Sequence, residues 1–314
     1  MGINFQNVSF KYNYNGPYSL KDINLHIDAC GEFICILGHT GSGKSTLVQH
    51  MNALLLPVKG QITCFSKDIV KKIKHPIKLN TKNNRLKYDI NSGKCLVKVD
   101  KLVYNSNLLE IRKHIGLVFQ FPEYQLFETT VLKDVMFGPK NFGLSEEEAK
   151  SAAIEACKLV GLTPDLLEKS PFSLSGGQMR RVAIAGILAL NPDVIILDEP
   201  TVGLDPIGKE ELMKLLISIQ RSTNKSIIMI THDMNIVGEY AKRVIVMDQG
   251  TIVYDGDKRT LFEDVDKLHK FNLDLPNSAN LALKLKDKGL ITYKHLPLSK
   301  QELETVILGG DINE

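Results

Sequence analysis

Long apolar runs are missing from this 314-residue chain. A membrane-crossing helix needs about 20 consecutive apolar residues, and the longest run here, Val182–Leu190, is far shorter and contains Gly186. No basic-then-apolar leader precedes the first strand pattern, so a non-secreted protein is expected, one that forms no channel by itself. Cysteine is scarce as well. The five residues Cys30, Cys35, Cys64, Cys95 and Cys157 are odd in number and show no zinc-like pairing, which leaves reduced thiols as the reading. Charge of one sign is also lacking overall: the net +3 is too small to imply nucleic acid. It is unevenly spread, however. Residues 67–101 carry a balance of +8 and the remainder −5. Such a stretch reads first as a solvated, partly ordered hairpin, with a patch for anionic headgroups or nucleic acid as the competing reading.

What is present is a phosphate loop. Gly38-His39-Thr40-Gly41-Ser42-Gly43-Lys44-Ser45-Thr46 has glycines where the backbone must bend so that its N–H groups surround phosphate oxygens. Lys44 is placed to reach the β- and γ-phosphates, and the Ser45 hydroxyl to bind Mg²⁺. A buried strand at Phe33–Leu37 precedes the loop. A helix from Ser45 to Leu54 follows it and adds its dipole to an anion site.

Two further strand ends carry chemistry. Val194-Ile195-Ile196-Leu197 reads as a strand buried on both faces and ends in Asp198-Glu199-Pro200. Ligands gather at the carboxyl ends of strands in open α/β sheets. Asp198 is therefore expected to hold Mg²⁺ and Glu199 to act as general base toward water. Ser226–Thr231 is a strand of the same kind, followed by His232. A structural histidine is the plain alternative there, and contact with the γ-phosphate is the reading its strand-end position favours. A second glycine-rich motif, Leu174-Ser175-Gly176-Gly177-Gln178, combines a serine N-cap with glycines at the start of a helix through Arg180 and Leu188, and so presents free N–H groups to an anion. Two phosphate motifs suggest two nucleotide half-sites, hence a nucleotide-driven dimer.

Taken in order, these motifs resemble those of the ATP-binding-cassette (ABC) ATPases up to about Gly256. The set comprises Tyr12 for adenine stacking, the P-loop, Gln120 after a strand, the signature at residues 174–178, Asp198-Glu199, the Gly203-Leu204-Asp205 loop and His232. The resemblance implies ATP and Mg²⁺ as ligands. It also implies Ser45, Gln120 and Asp198 at the metal, and Ser175, Gly176, Gly177 and Gln178 at the phosphate held by the partner subunit. The strings Phe119-Gln120-Phe121-Pro122-Glu123-Tyr124-Gln125-Leu126-Phe127 and Phe137–Gly143 are similar to those of energy-coupling-factor (ECF) transporter ATPases, in particular the second of their two ATPases. Pro122-Glu123 breaks any regular period, so an apolar loop able to seat a partner's helix is expected there, with core packing as the alternative.

The implied activity is ATP hydrolysis that energises an importer of vitamins or transition-metal ions. The implied partners are a second ECF ATPase subunit, a transmembrane coupling subunit and a substrate-binding membrane subunit, with the chain peripheral on the cytoplasmic face and no nucleic acid expected. A non-transport ABC ATPase acting on DNA or ribosomes is the alternative, and a homodimer stays open. The expected fold class is α/β, an ABC-type P-loop NTPase with a mostly parallel core sheet. An antiparallel β subdomain, an α-helical signature subdomain and a small C-terminal extension accompany the core. Residues 1–256 are read as the ATPase domain, with a basic insertion at 66–105 and a helical subdomain at 130–175. Residues 257–314 are read as the extension, with ATPase–ATPase pairing as its role and short helices at Leu261–Leu268 and Asn277–Lys288.

Overall fold

The computed structural model describes residues 2–13, 15–28, 30–65, 87–89, 94–98 and 107–312. In chain order these form β1 (Gly2–Phe10), β2 (Leu20–Asp28), β3 (Phe33–Leu37), α1 (Lys44–Met51), β4 (Lys59–Phe65), β5 (Lys87–Asp89) and β6 (Lys94–Lys98). Then follow α2 (Asn107–His114), β7 (Ile115–Val118), α3 (Val131–Asn141), α4 (Glu146–Leu159), α5 (Gly176–Leu188) and β8 (Val194–Asp198). The chain continues through α6 (Pro206–Thr223), β9 (Ser226–Ile230), α7 (Met234–Tyr240), β10 (Arg243–Asp248) and β11 (Thr251–Asp257). It closes with α8 (Lys258–Phe262), α9 (Val265–Lys270), α10 (Asn277–Asp287) and α11 (Lys300–Ile307). Two compact units result, residues 1–32 with 45–228 and residues 33–44 with 229–314.

The first unit contains the expected antiparallel sheet, in the order β2-β1-β4-β6-β5. Phe5 of β1 stands opposite Leu25 on one side and Ile62 on the other. Simple alternation along Asn4–Phe10 does not hold. The inward residues are Phe5, Val8 and Phe10, because the register shifts between Phe5 and Val8, where Asn7 takes φ 48°. A bulge of this kind moves the following side chains to the other face. Beyond residue 65 only β5 and β6 of the basic insertion are described. They pair antiparallel, and β6 extends the sheet from β4, with Gln61 opposite Lys98. The expectations for the insertion's lysine-rich surface lie outside the described residues.

The same unit pairs β7 with β8 in parallel, Gly116 opposite Ile195 and Val118 opposite Leu197. Val194–Leu197 are at most 1 % exposed, which explains a strand with no polar face. Its helical part, α3 to α5, is delimited by caps. The Thr130 hydroxyl accepts from Lys133 N, and Ser145 and Ser175 each form a reciprocal capping box.

The second unit is built on β10, paired in parallel with β3 (Val244 opposite Cys35) and antiparallel with β11 (Arg243 opposite Asp257). Every residue of β3 is buried, and burial pushes the Cys35 thiol up to about 12, so it stays protonated. Beyond β11 the expected helix at Leu261–Leu268 is two helices, α8 and α9. Glu263 ends the first, and Asp264 caps the second, its carboxylate accepting from Lys267 N at 3.0 Å. Helix α10 agrees with expectation. Helix α11 was not anticipated, although Ser299-x-x-Glu302 is the sequence signature of a capped start and Ser299 accepts from Glu302 N. Among the described residues no helix is long and apolar enough to cross a membrane.

Candidate functional site

In the second unit the phosphate loop leaves β3 at Gly38 (φ 137°) and turns again at Gly41 (φ 82°) and Gly43 (φ 103°), conformations that favour glycine. A Cβ on Gly38 would overlap the Met247 carbonyl of β10, whereas one on Gly41 would meet nothing within 4 Å. The loop is thus packed at its root and open at its tip. Lys44 Nζ donates to Gly38 O at 2.8 Å and His39 O at 2.9 Å, which places its ammonium within the curve of the loop. Ser42 Oγ is buried with no hydrogen-bond partner, and Gly250 N donates to Ser42 O at 3.0 Å.

His39 is tied twice, Nε2 to Asp248 Oδ1 at 2.9 Å and Nδ1 to Thr40 O at 2.7 Å. That contact joins residues 209 positions apart and had no signal in the motif. The exposed Thr40 completes the loop. His232 is exposed at the end of β9, between Thr231, whose N–H donates to Ile36 O at 3.4 Å, and Asp233, the N-cap of α7.

In the first unit Ser45 is exposed and Thr46 is buried. The Tyr12 hydroxyl lies 3.0 Å from Thr46 Oγ1, and its ring, 61 % exposed, stands edge-on to Phe10 at 5.0 Å. A flat aromatic face next to the phosphate helix is suited to a heterocycle. One turn further along α1, His50 is buried, with Nδ1 2.7 Å from Thr46 O, and desolvation lowers its pKa to about 4.

The carboxylates lie as expected at the end of β8. Asp198 is buried and Glu199 half-buried, the latter at φ 50°, a strained conformation for a side-chain-bearing residue. Gln120, at the end of β7, donates from Nε2 to Glu199 Oε2 at 3.2 Å. The parallel pairing of β7 and β8 therefore brings together two residues 79 apart in the chain.

Sequence reading missed the residue that ties this region to the signature helix. Arg180, 5 % exposed, forms a two-pronged pair with Glu123, Nη2 to Oε1 at 3.1 Å and Nε to Oε2 at 3.3 Å. It also donates to Pro200 O at 2.8 Å. One guanidinium thus holds α5, the turn after Gln120 and the turn after Glu199. A buried arginine needs such partners, and only its position in the signature helix hinted at them.

The turn itself, Pro122–Gln125, is a short 3₁₀ segment, as the break in periodicity suggested. Leu126 packs inward, whereas Phe121, Tyr124, Phe127 and Phe137 are exposed by 37 to 83 %, with Phe127 edge-on to Phe137 at 4.8 Å. Core packing therefore holds for Leu126 and not for Phe121 or Phe127, which lie with Tyr124 and Phe137 on an open aromatic surface.

At the signature, Ser175 Oγ accepts from Gln178 N at 3.3 Å and Ser175 N donates to Gln178 Oε1 at 3.0 Å. A Cβ on Gly176 or Gly177 would meet nothing within 4 Å.

A family model described as ABC transporter matches residues 20–202. The energy-coupling factor transporter ATP-binding protein EcfA2 of Ligilactobacillus salivarius is 44 % identical over 320 aligned positions covering 100 % of both chains. The protein of that name from Enterococcus faecalis is 44 % identical over 98 % of this chain and 96 % of its own. The chain belongs to the ABC transporter family, among the energy-coupling-factor ATP-binding proteins. Its fold is similar to that of cbiO1 from Clostridium perfringens, part of the ABC transporter complex cbiONQ, with a TM-score of 0.65 and 36 % identity over 90 % of this chain and 98 % of that one. It is also similar to the ATP-binding cassette MJ0796, solved as a dimer bound to ADP and Pi, with a TM-score of 0.61 and 30 % identity over 82 % of this chain and 99 % of the other.

The expectations of an α/β ABC-type fold and of an ECF ATPase of the second kind are met by these findings. The residues present also fit the expected ligands. The open tip at Gly41, the unpartnered Ser42 Oγ and the Lys44 ammonium suit a polyphosphate. Ser45, Gln120 and Asp198 offer only oxygen toward a cation, the donor type Mg²⁺ takes.

Proposed function

We propose that the chain is the ATP-hydrolysing subunit of an ECF importer of vitamins or transition-metal ions, peripheral on the cytoplasmic face of the membrane. The observation that carries this reading is similarity along the whole chain to relatives named as ECF ATP-binding proteins. The partners proposed are a second ECF ATPase, a transmembrane coupling subunit and a substrate-binding membrane subunit. The exposed Phe121, Tyr124, Phe127 and Phe137 supply an apolar seat for a helix of the coupling subunit. Residues 257–314 are proposed to help hold the two ATPases together.

In this reading Tyr12 stacks on adenine, and the backbone from Gly38 to Gly43 surrounds the phosphates. Lys44 balances their charge, and Ser45, Gln120 and Asp198 hold Mg²⁺, which when bound neutralises charge on the transferring group. Glu199 takes the proton of the attacking water, and the Gln120 amide, already on the Glu199 carboxylate, orients that base. His232 contacts the γ-phosphate. Ser175, Gly176, Gly177 and Gln178 cap the γ-phosphate of the nucleotide held by the partner, Gly176 and Gly177 through the N–H groups that the capping box leaves open.

The chemistry is tested by Glu199→Gln in the purified complex, which is expected to lower turnover by roughly 10²- to 10⁴-fold while ATP binding persists. Lys44→Ala is expected to weaken binding itself. Unchanged hydrolysis by Glu199→Gln would remove it as the base. Partners recovered in mild detergent test the transport assignment: membrane subunits support it, and ribosomes or DNA overturn it.

A further inference from the structure

Helix α7 begins two residues after His232 leaves the sheet region, and the C-terminal extension grips it at three points. Lys258 Nζ donates to Gly238 O at 2.5 Å, and Asn277 N donates to Asn235 Oδ1 at 2.8 Å. At Gly238 a Cβ would overlap the Leu298 carbonyl oxygen and come within 2.9 Å of Pro276 Cγ. Helix interiors disfavour glycine, so its presence here has a reason: no other residue lets the chain at Pro276 and Leu298 lie against α7. Pro276 and Leu298 are themselves buried, as are Met234, Ile236 and Val237 on the helix.

The other end of α7 is joined to His232 with no slack. Asp233 caps the helix by accepting from Asn235 N at 3.1 Å, and its own N–H donates to Thr231 Oγ1 at 3.1 Å. Thr231 is in turn bonded to Ile36 O. His232 thus stands between two tied residues, one on the strand end and one on the helix. Moving α7 moves the backbone from which the imidazole projects.

We propose that residues 258–298 act as a brace on α7 that sets the position of His232, with Gly238 as the positioning residue. The proposal rests on the reading of His232 as the γ-phosphate contact. It gives the C-terminal extension a role within its own subunit, separate from holding two ATPases together.

Gly238→Ala in the assembled complex is expected to lower kcat roughly tenfold while KM for ATP stays within about twofold, since a small misplacement of a catalytic group costs rate more than binding. Lys258→Met removes the donor to Gly238 O without crowding the helix. It is expected to act in the same direction and more weakly, and it keeps the test open if Gly238→Ala folds poorly. The deciding measurement repeats both changes in a His232→Ala background by single-turnover hydrolysis. A residue that works through His232 adds nothing once the imidazole is gone. An equal fold-loss in both backgrounds, or wild-type kcat in both variants, overturns the brace. Wild-type complex that neither binds nor hydrolyses ATP overturns the ATPase reading instead, and is seen before any variant is made.

Discussion

Ser145 and Ser175 open two helices of the same unit with the same reciprocal pair of backbone hydrogen bonds. In each, the hydroxyl accepts from the N–H three residues on at 3.3 Å, and the side chain there accepts in return, at 2.9 Å for Glu148 and 3.0 Å for Gln178. The first turns then differ. Helix α4 places Glu146, Glu147 and Glu148 at its positive end, which satisfies the dipole within the chain. Helix α5 has no acid in its first turn, and Gly176 and Gly177 have empty space where side chains would stand. The cap geometry is common to both helices. What separates a helix start that the chain fills itself from one that it leaves open is the charge and bulk of the next two or three residues.

Added charge at the α5 start has the largest expected effect. Gly177→Asp would supply α5 with the acid that α4 already has. ATPase activity of the assembled complex is expected to fall by roughly 10²-fold or more, as for loss of a preorganised anion donor, with the melting temperature little changed. Full activity in that variant would mean the signature start does not meet an anion. The matching change in α4, Glu147→Gly, should leave hydrolysis intact.

A smaller effect separates the two caps by function alone. Ser145→Ala and Ser175→Ala are each expected to cost about 1 kcal/mol of stability, read by denaturant unfolding. Only Ser175→Ala should also lower turnover. Equal turnover in the two variants would erase the distinction drawn between them.

The smallest effect is a pH dependence. Hydrogen bonds from the Ser145 backbone N–H and hydroxyl hold the Glu148 carboxyl below its usual 4.5. A carboxylate with a depressed folded pKa contributes stability above its unfolded value, and that contribution is lost as pH falls from about 4.5 through the folded value. The α4 cap should therefore loosen in acid, while the cap at Ser175, closed by the uncharged Gln178, should not. Amide exchange at Glu148 and Gln178 across that range measures both. His50 titrates nearby: with its folded pKa near 4 against 6.5, it favours the unfolded chain as pH falls below about 6.5. A His50→Gln background therefore isolates the cap.

Much of this region is legible in one dimension, because caps and buried strands are local. The serine N-cap followed by glycines predicted the start of α5, and the run Val194–Leu197 predicted β8 with its acids at the end. The aromatic string after Gln120 was less clear. Its side chains divide between inward Leu126 and outward Phe121, Tyr124 and Phe127, and composition is alike on the two sides of that division. The tie from Arg180 to Glu123 and Pro200 O was not legible at all. It spans 57 and 20 positions, and nothing in the local pattern of either partner shows where the other lies.

Elements whose causes lie within a few residues can be read along the chain: the glycine turns of the phosphate loop, the Ser175-capped helix, the strands buried on both faces and the order of motifs. Tertiary structure alone decided which distant groups meet. It put the Gln120 amide on the Glu199 carboxylate, paired His39 with Asp248, and set Gly238 against Pro276 and Leu298. The physical reason is range. Backbone bending and capping are settled by neighbours along the chain, whereas a buried charge or a missing Cβ is explained only by atoms that folding brings from elsewhere.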